Sequence, residues 1–173
     1  MKILSLDPSS SVTGYAVTDY DSERVLEAGL CKPHKSRLPV RARVLSMLDD
    51  ISKIIREHAP SVYLVECPLG KQYTRTPGKI SGIPVWAFAA GTVFGWLEAK
   101  TDGRNVWPIS NVLWTAGKSK NARVIRAGLL MPGYDAAHDK GADMADAICL
   151  GAWWIAQQKQ NDRLAAATRK GQR

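Results

Sequence analysis

Over its first thirty positions the chain alternates short β-rich runs with turn chemistry. Residues 2–7 (KILSLD), 12–18 and 25–31 are the runs, and Pro8-Ser9-Ser10-Ser11 and residues 19–23 separate them. Links this short predict three strands in an antiparallel meander. The period then changes. Val44, Leu48, Ile51 and Ile55 are spaced 4, 3 and 4 apart, which is one apolar stripe on a period of 3.6 and predicts a helix. Arg41, Arg43, Asp50, Lys53 and Glu57 fall mostly off that stripe, and Pro60 follows its end. Residues 62–66 (VYLVE) form a near-continuous apolar run, as expected of a central strand.

The second half alternates strands with helices. Residues 69–84 are rich in Gly, Pro, Lys and Arg and read as an exposed loop. Residues 85–99 predict a helix, and residues 105–109 a fifth strand. Residues 111–130 carry one or two short basic helices around Gly117, 131–139 a loop, and 141–158 a last helix. Residues 159–173 are polar and basic and read as a frayed, flexible tail. Strands alternating with helices imply parallel strands beside the meander. The expected fold is therefore α/β: a mixed five-stranded sheet flanked by helices, the element order of the RNase H-like fold, in one domain over residues 1–158.

The strongest chemical signal is where acids sit on apolar elements. Asp7 ends the first strand and Glu66 ends the fourth. A carboxylate on such a strand tip is costly to bury without a partner. Asp143 and Asp146 are three apart on the last helix, so both project from one face. A helix packed across a shared sheet edge would gather all four. Four carboxylates repel, and divalent cations between them relieve the repulsion; oxygen-only donors suit Mg²⁺ or Mn²⁺. Each acid also has a plainer reading. Asp7 can start the turn at Pro8, Glu66 can cap the next loop, and Asp143 and Asp146 can favour a helix dipole. Asp135 and Asp139 lie close enough in sequence to compete for the same place.

Charge and the remaining motifs sharpen this picture. The net charge of +8 favours a polyanionic partner. Lys71, Arg75 and Lys79 follow Glu66, and Lys118, Lys120, Arg123 and Arg126 follow Gly117; both clusters are expected to grip phosphates beside the acids. Six tryptophans are enough for base stacking, although core packing accounts for most tryptophans. Three cysteines without CxxC spacing argue against a disulfide framework and a zinc site. No apolar run reaches the ~18–20 residues of a membrane span. No secretory leader is expected, and the expected location is the cytoplasm, at the nucleoid. The helix over 85–99 is apolar nearly all round, with Ala90, Gly91 and Gly95 permitting close approach; it is either internal or a two-fold dimer interface.

These residues resemble a known family. Residues 3–16 (ILSLDPSSSVTGYA) look like the opening motif of RuvC-family Holliday-junction resolvases. Glu66 after VYLV matches the family's second acid, WP at 107–108 with VLWTAGK at 112–118 resembles its basic segment, and DMADA at 143–147 matches its closing acids. The resemblance implies a homodimeric Mg²⁺- or Mn²⁺-dependent endonuclease that cuts four-way DNA junctions symmetrically. It also implies Asp7, Glu66, Asp143 and Asp146 as metal-binding catalytic acids, with Lys118 as the basic helper. There are departures. Ser9 stands where glycine is common, and Cys67-Pro68-Leu69-Gly70 replaces the usual run before the residue that enters the junction. Tyr73 is the candidate for that residue, with Leu69 as rival; the pattern suits a divergent or phage-type member.

Other readings share these residues. The same acids would serve an RNase H-type nuclease on RNA–DNA hybrids, flaps or forks, and a non-catalytic nucleic-acid-binding module would keep the basic surface alone. The opening motif also resembles a phosphate loop of the sugar-kinase and actin-type ATPases, but those need a second domain, and 173 residues leave room for one.

Overall fold

The structure, a computed structural model, describes residues 1–35, 37–69 and 83–171. Three strands open the chain: β1 (Lys2–Pro8), β2 (Thr13–Asp19) and β3 (Val25–Cys31). Helix α1 (Val40–His58) leads to β4 (Val62–Cys67), and α2 (Ile83–Lys100) precedes β5 (Val106–Ser110). Two short helices, α3 (Asn111–Thr115) and α4 (Lys120–Leu130), come before the long α5 (Asp143–Gly171). One sheet holds all five strands in the order β3-β2-β1-β4-β5. β2 pairs antiparallel with β1 and β3, whereas β1–β4 and β4–β5 are parallel. The meander and the parallel strands expected from the sequence are both present.

Strand alternation divides the interior into two cores. Leu4 and Leu6 of β1 and Tyr63, Val65 and Cys67 of β4 pack with Val44, Met47 and Ile51 of α1 and Val93 and Leu97 of α2. The residues between them, Ile3, Val62 and Leu64, face the opposite way and pack under Ile148, Leu150 and Ile155 of α5. Each fully buried aliphatic side chain contributes about 1.5–3 kcal/mol, so both faces of the sheet are firmly covered. Among the described residues no helix is long and apolar enough to cross a membrane.

Two expectations change. The segment over 159–173, expected to be a frayed tail, continues α5 as helix to Gly171. Its Ala165-Ala166-Ala167 run and its Arg, Lys and Gln residues are strong helix formers that need no apolar face. Lys159 bonds Glu23 at 2.6 Å and lies over the Tyr20 ring, which ties the exposed extension back to the meander. Helix α2 is not internal throughout. Ala89, Ala90, Val93 and Leu97 are buried, but Val85 and Phe88 are 40% and 43% exposed, and none of the described residues stands within 4 Å of a Cβ built at Gly91 or Gly95. Among the described residues, one face of α2 is therefore uncovered and apolar.

Candidate active site

The alternation that makes the two cores also aims the acids. In β1, Ile3, Ser5 and Asp7 share the face toward α5; in β4, Val62, Leu64 and Glu66 share it. The parallel pairing runs from Ile3↔Val62 to Leu6↔Val65, so the next step places Asp7 level with Glu66. Two neighbouring strands running the same way thus present two carboxylates at one sheet edge. Both are buried.

Helix α5 brings the other pair. The buried Ser5 hydroxyl donates to the Ala147 carbonyl at 2.7 Å and pins α5 on β1. Gly14, the β2 partner of Asp7, lies so close to the helix that a Cβ there would overlap the Asp143 carbonyl. Only glycine permits that approach. The first turn of α5 therefore sits over the strand tips, with Asp143 and Asp146 on it.

The four carboxyls act on one another's titration. Burial pushes the Asp7 carboxyl well above the usual range, and the charges of Glu66, Asp146 and Asp143 push it further. Burial and then Asp146 raise Glu66. Burial is also the leading cause for Asp143 and Asp146, with Asp139 adding to the shift of Asp143 and the Arg123 ion pair opposing that of Asp146. Four carboxylates thus feel one another in a partly desolvated place. All the donors are hard oxygens, which fits one or two Mg²⁺ or Mn²⁺ ions.

Three neighbours of these acids carry no signal in the sequence that assigns their roles. The indole N–H of Trp114 donates to Glu66 Oε2 at 3.0 Å and orients that carboxylate. Arg123 forks onto Asp146, with Nε at 2.6 Å from Oδ1 and Nη2 at 2.9 Å from Oδ2. The same guanidinium lies 5.7 Å from the Trp114 ring centre. Asp139 does not compete for the site. It accepts from the backbone N–H of Met144 at 3.2 Å and Ala145 at 2.8 Å and from the Tyr134 hydroxyl at 2.8 Å, so it caps α5. Asp135 is engaged in an exposed turn with Ala137 and His138.

The basic residues divide. Lys118 and Lys120 are exposed, and the Lys120 charge reaches both Asp143 and Asp146. Arg123, expected to face phosphate, is turned inward onto Asp146. Lys118, Arg123 and Arg126 line a cavity of about 520 Å³ floored by Trp114 and Trp153. Lys71, Tyr73, Arg75 and Lys79 lie outside the described residues. Of the six tryptophans, Trp114 and Trp154 are buried and Trp107 is half exposed.

A second cluster lies on the other face of the sheet. Glu27, Glu57 and His58 offer ligand atoms within 4.8 Å of one another. Both Glu27 oxygens are already engaged, one by the Tyr15 hydroxyl at 2.6 Å and one by His58 Nε2 at 2.7 Å. This cluster reads as a polar tie between α1 and β3.

No known protein-family profile matches the chain. Among curated proteins it is similar to the crossover junction endodeoxyribonuclease RuvC of Pelotomaculum thermopropionicum, 27% identical over 156 residues, which span 86% of this chain and 92% of that protein. It is 30% identical over 96 residues to the RuvC of Burkholderia thailandensis, spanning 53% and 52% of the two chains. Two solved structures share its fold. Thermus thermophilus RuvC in complex with a Holliday junction substrate has a TM-score of 0.61 at 16% identity, with 92% of this chain and 96% of that one covered. The yeast mitochondrial Holliday junction resolvase Ydc2 has a TM-score of 0.58 at 14% identity, covering 97% and 83%. The fold is thus the RNase H-like fold expected from the element order.

Proposed function

We propose that this RuvC-like chain is a structure-specific endonuclease that resolves four-way DNA junctions by hydrolysing two phosphodiester bonds symmetrically. The observation that carries this reading is the gathering of Asp7 and Glu66, level on adjacent parallel strands, under the Asp143–Asp146 turn of α5. Their mutual repulsion calls for divalent cations, and the all-oxygen donor set makes Mg²⁺ or Mn²⁺ the fitting ions. When bound, such ions supply Lewis acidity at the scissile phosphate and stabilise charge on the leaving oxygen. The protein's own part is to hold four carboxylates in place. Trp114 fixes Glu66, the Ser5 bond and Gly14 set the depth of α5, and Asp139 caps its first turn. Lys118 and Lys120 are exposed, and Lys120 acts on Asp143 and Asp146; in this reading both bind flanking phosphates. In this reading residues 1–158 are the nuclease domain, and the enzyme works in the cytoplasm on nucleoid DNA.

The test is incubation with a labelled four-way junction and Mg²⁺, beside linear duplex, fork and RNA–DNA hybrid of the same sequence. Paired symmetric nicks in the junction alone are expected. Cutting of hybrid or fork alone would keep the metal site and change the substrate. Tight binding without cutting, in Mg²⁺ and in Mn²⁺, would leave a binding module.

Two symmetric cuts need two sites, and the open face of α2 supports a homodimer. Val85 and Phe88 expose apolar area there, and Gly91 and Gly95 leave room for a second helix to approach. Phe88→Asp is expected to weaken association by at least ~30-fold, the effect of about 2 kcal/mol for a buried aromatic anchor. It should convert paired nicks into single ones. Sedimentation of the unmodified chain as a monomer at micromolar concentration would refute the dimer.

A further inference from the structure

The Arg123–Asp146 pair sets a conflict inside the proposed metal site. Arg123 Nε and Nη2 occupy both oxygens of Asp146, at 2.6 and 2.9 Å. Nη1 donates to the Lys118 carbonyl at 3.0 Å, and the plane lies over the Trp114 ring that holds Glu66. The pair is well shielded, with side-chain exposures of 16% and 11%. A divalent cation held by Asp146 would face the Arg123 guanidinium across one carboxylate, in a poorly solvated place where like charges repel strongly. Metal and Arg123 therefore compete for Asp146.

The alternative place for Arg123 is next door. Its side chain also lines the cavity shared with the exposed Lys118 and Arg126, with Trp114 and Trp153 in the same lining. Two exposed cations and a third within reach make a phosphate site, and a guanidinium forks onto phosphate as well as it does onto carboxylate. Arg123 lies in the first turns of α4, whose start is capped by Ser119. The exchange therefore needs only rotation about side-chain bonds.

We propose that Arg123 is a positioning residue that gates metal loading: it holds Asp146 in the absence of DNA and releases it when a backbone phosphate enters the cavity beside α4. This rests on the nuclease reading and adds a coupling to it. DNA and the metal at Asp146 then strengthen each other's binding, because linkage is reciprocal. Linear contact that leaves the cavity empty would not arm the site.

The test measures metal binding without DNA. Mn²⁺ is titrated into the full chain while the signal of the free ion is followed by electron paramagnetic resonance, for the unmodified protein, Arg123→Gln and Arg123→Lys. Arg123→Gln should bind Mn²⁺ at least tenfold more tightly, and Arg123→Lys, which keeps charge but not the fork, should fall between. Adding Asp146→Asn to Arg123→Gln should abolish the gain. A merely structural Arg123 would leave Mn²⁺ affinity unchanged or lower it, and either result overturns the gate. In a second measurement, the four-way junction is added in EDTA, without metal. The nitrogen-15 resonance of the Arg123 Nε–H should shift as its partner changes from carboxylate to phosphate; no change overturns the phosphate half of the proposal. Equal Mn²⁺ binding by the unmodified protein and Arg123→Gln, weakened in Asp7→Asn, would sink the gate and keep the nuclease. Absence of Mn²⁺ binding in every variant, with the junction uncut, would sink both.

Discussion

Asp7→Asn is expected to abolish cleavage and at the same time to stabilise the metal-free protein. The amide keeps the shape of the carboxylate but removes a negative charge that burial and three acidic neighbours disfavour. In the proposed nuclease, loss of an acid that holds the metal removes several kcal/mol of transition-state stabilisation, so the rate should fall at least ~10³-fold. Relief of the buried repulsion should contribute on the order of 1–2 kcal/mol. For a chain of this size that is about 2–8 °C in melting temperature.

The effect has a defined pH dependence. A carboxyl whose folded pKa is raised contributes stability that is intact below its unfolded value, near 4, and lost as pH rises through the raised one. Asp7, Glu66, Asp143 and Asp146 are all raised. Glu27, held low by the Tyr15 hydroxyl and His58, works in the opposite sense and is lost as pH falls. The useful quantity is therefore the difference between variant and parent. In EDTA the melting-temperature gain of Asp7→Asn should grow as pH rises above about 4, and Mg²⁺ should shrink it by stabilising the parent. A variant no more stable than the parent at neutral pH would mean that the acids are not electrostatically strained. Calorimetry across the pH range, with the junction assay beside it, checks both halves.

Gly14→Ala is expected to damage fold and activity together. A Cβ at that position would overlap backbone atoms of Asp143, which cannot swing aside as a flexible side chain can. The start of α5 must lift from β2. Overpacking of this kind costs about 1–3 kcal/mol and sometimes more. The catalytic cost should exceed the stability cost. Asp143 and Asp146 ride on the displaced turn, and a misplacement of about 1 Å can lower a rate ~10²-fold. Gly91→Ala is the control, because none of the described residues comes within 4 Å of a Cβ at that position. It should leave the monomer fold intact or slightly more stable, since alanine is the better helix former. A Gly14→Ala protein with unaltered melting temperature and cleavage would show that the close approach of α5 is not required.

Asp139 shows how far chemistry-bearing residue types can mislead. In sequence it is four before Asp143 and a candidate for the same face. In the structure its carboxylate is consumed by two backbone N–H groups and the Tyr134 hydroxyl. An acid just ahead of a helix has unsatisfied donors within reach, and here that local demand captured it. Arg123 went the other way. Its place in a basic run pointed outward, and the strongest nearby partner, the buried Asp146, drew it inward.

The chain by itself determined the fold class and the position of the four acids. Strand period decides which side chains share a face, so the alternation in KILSLD already sets Asp7 opposite Leu4 and Leu6. The burial cost of a carboxylate marks Glu66 at the end of VYLV, and the three-residue spacing of Asp143 and Asp146 sets them on one side of a helix. These are local properties, legible in a few residues. Only the tertiary structure decided which groups answer those acids. Trp114 reaches Glu66 across 48 positions and Arg123 reaches Asp146 across 23, and such pairings follow from how α3, α4 and α5 pack on the sheet. The open face of α2 was likewise undecided, because an apolar stretch shows that burial is favourable but not which surface supplies it.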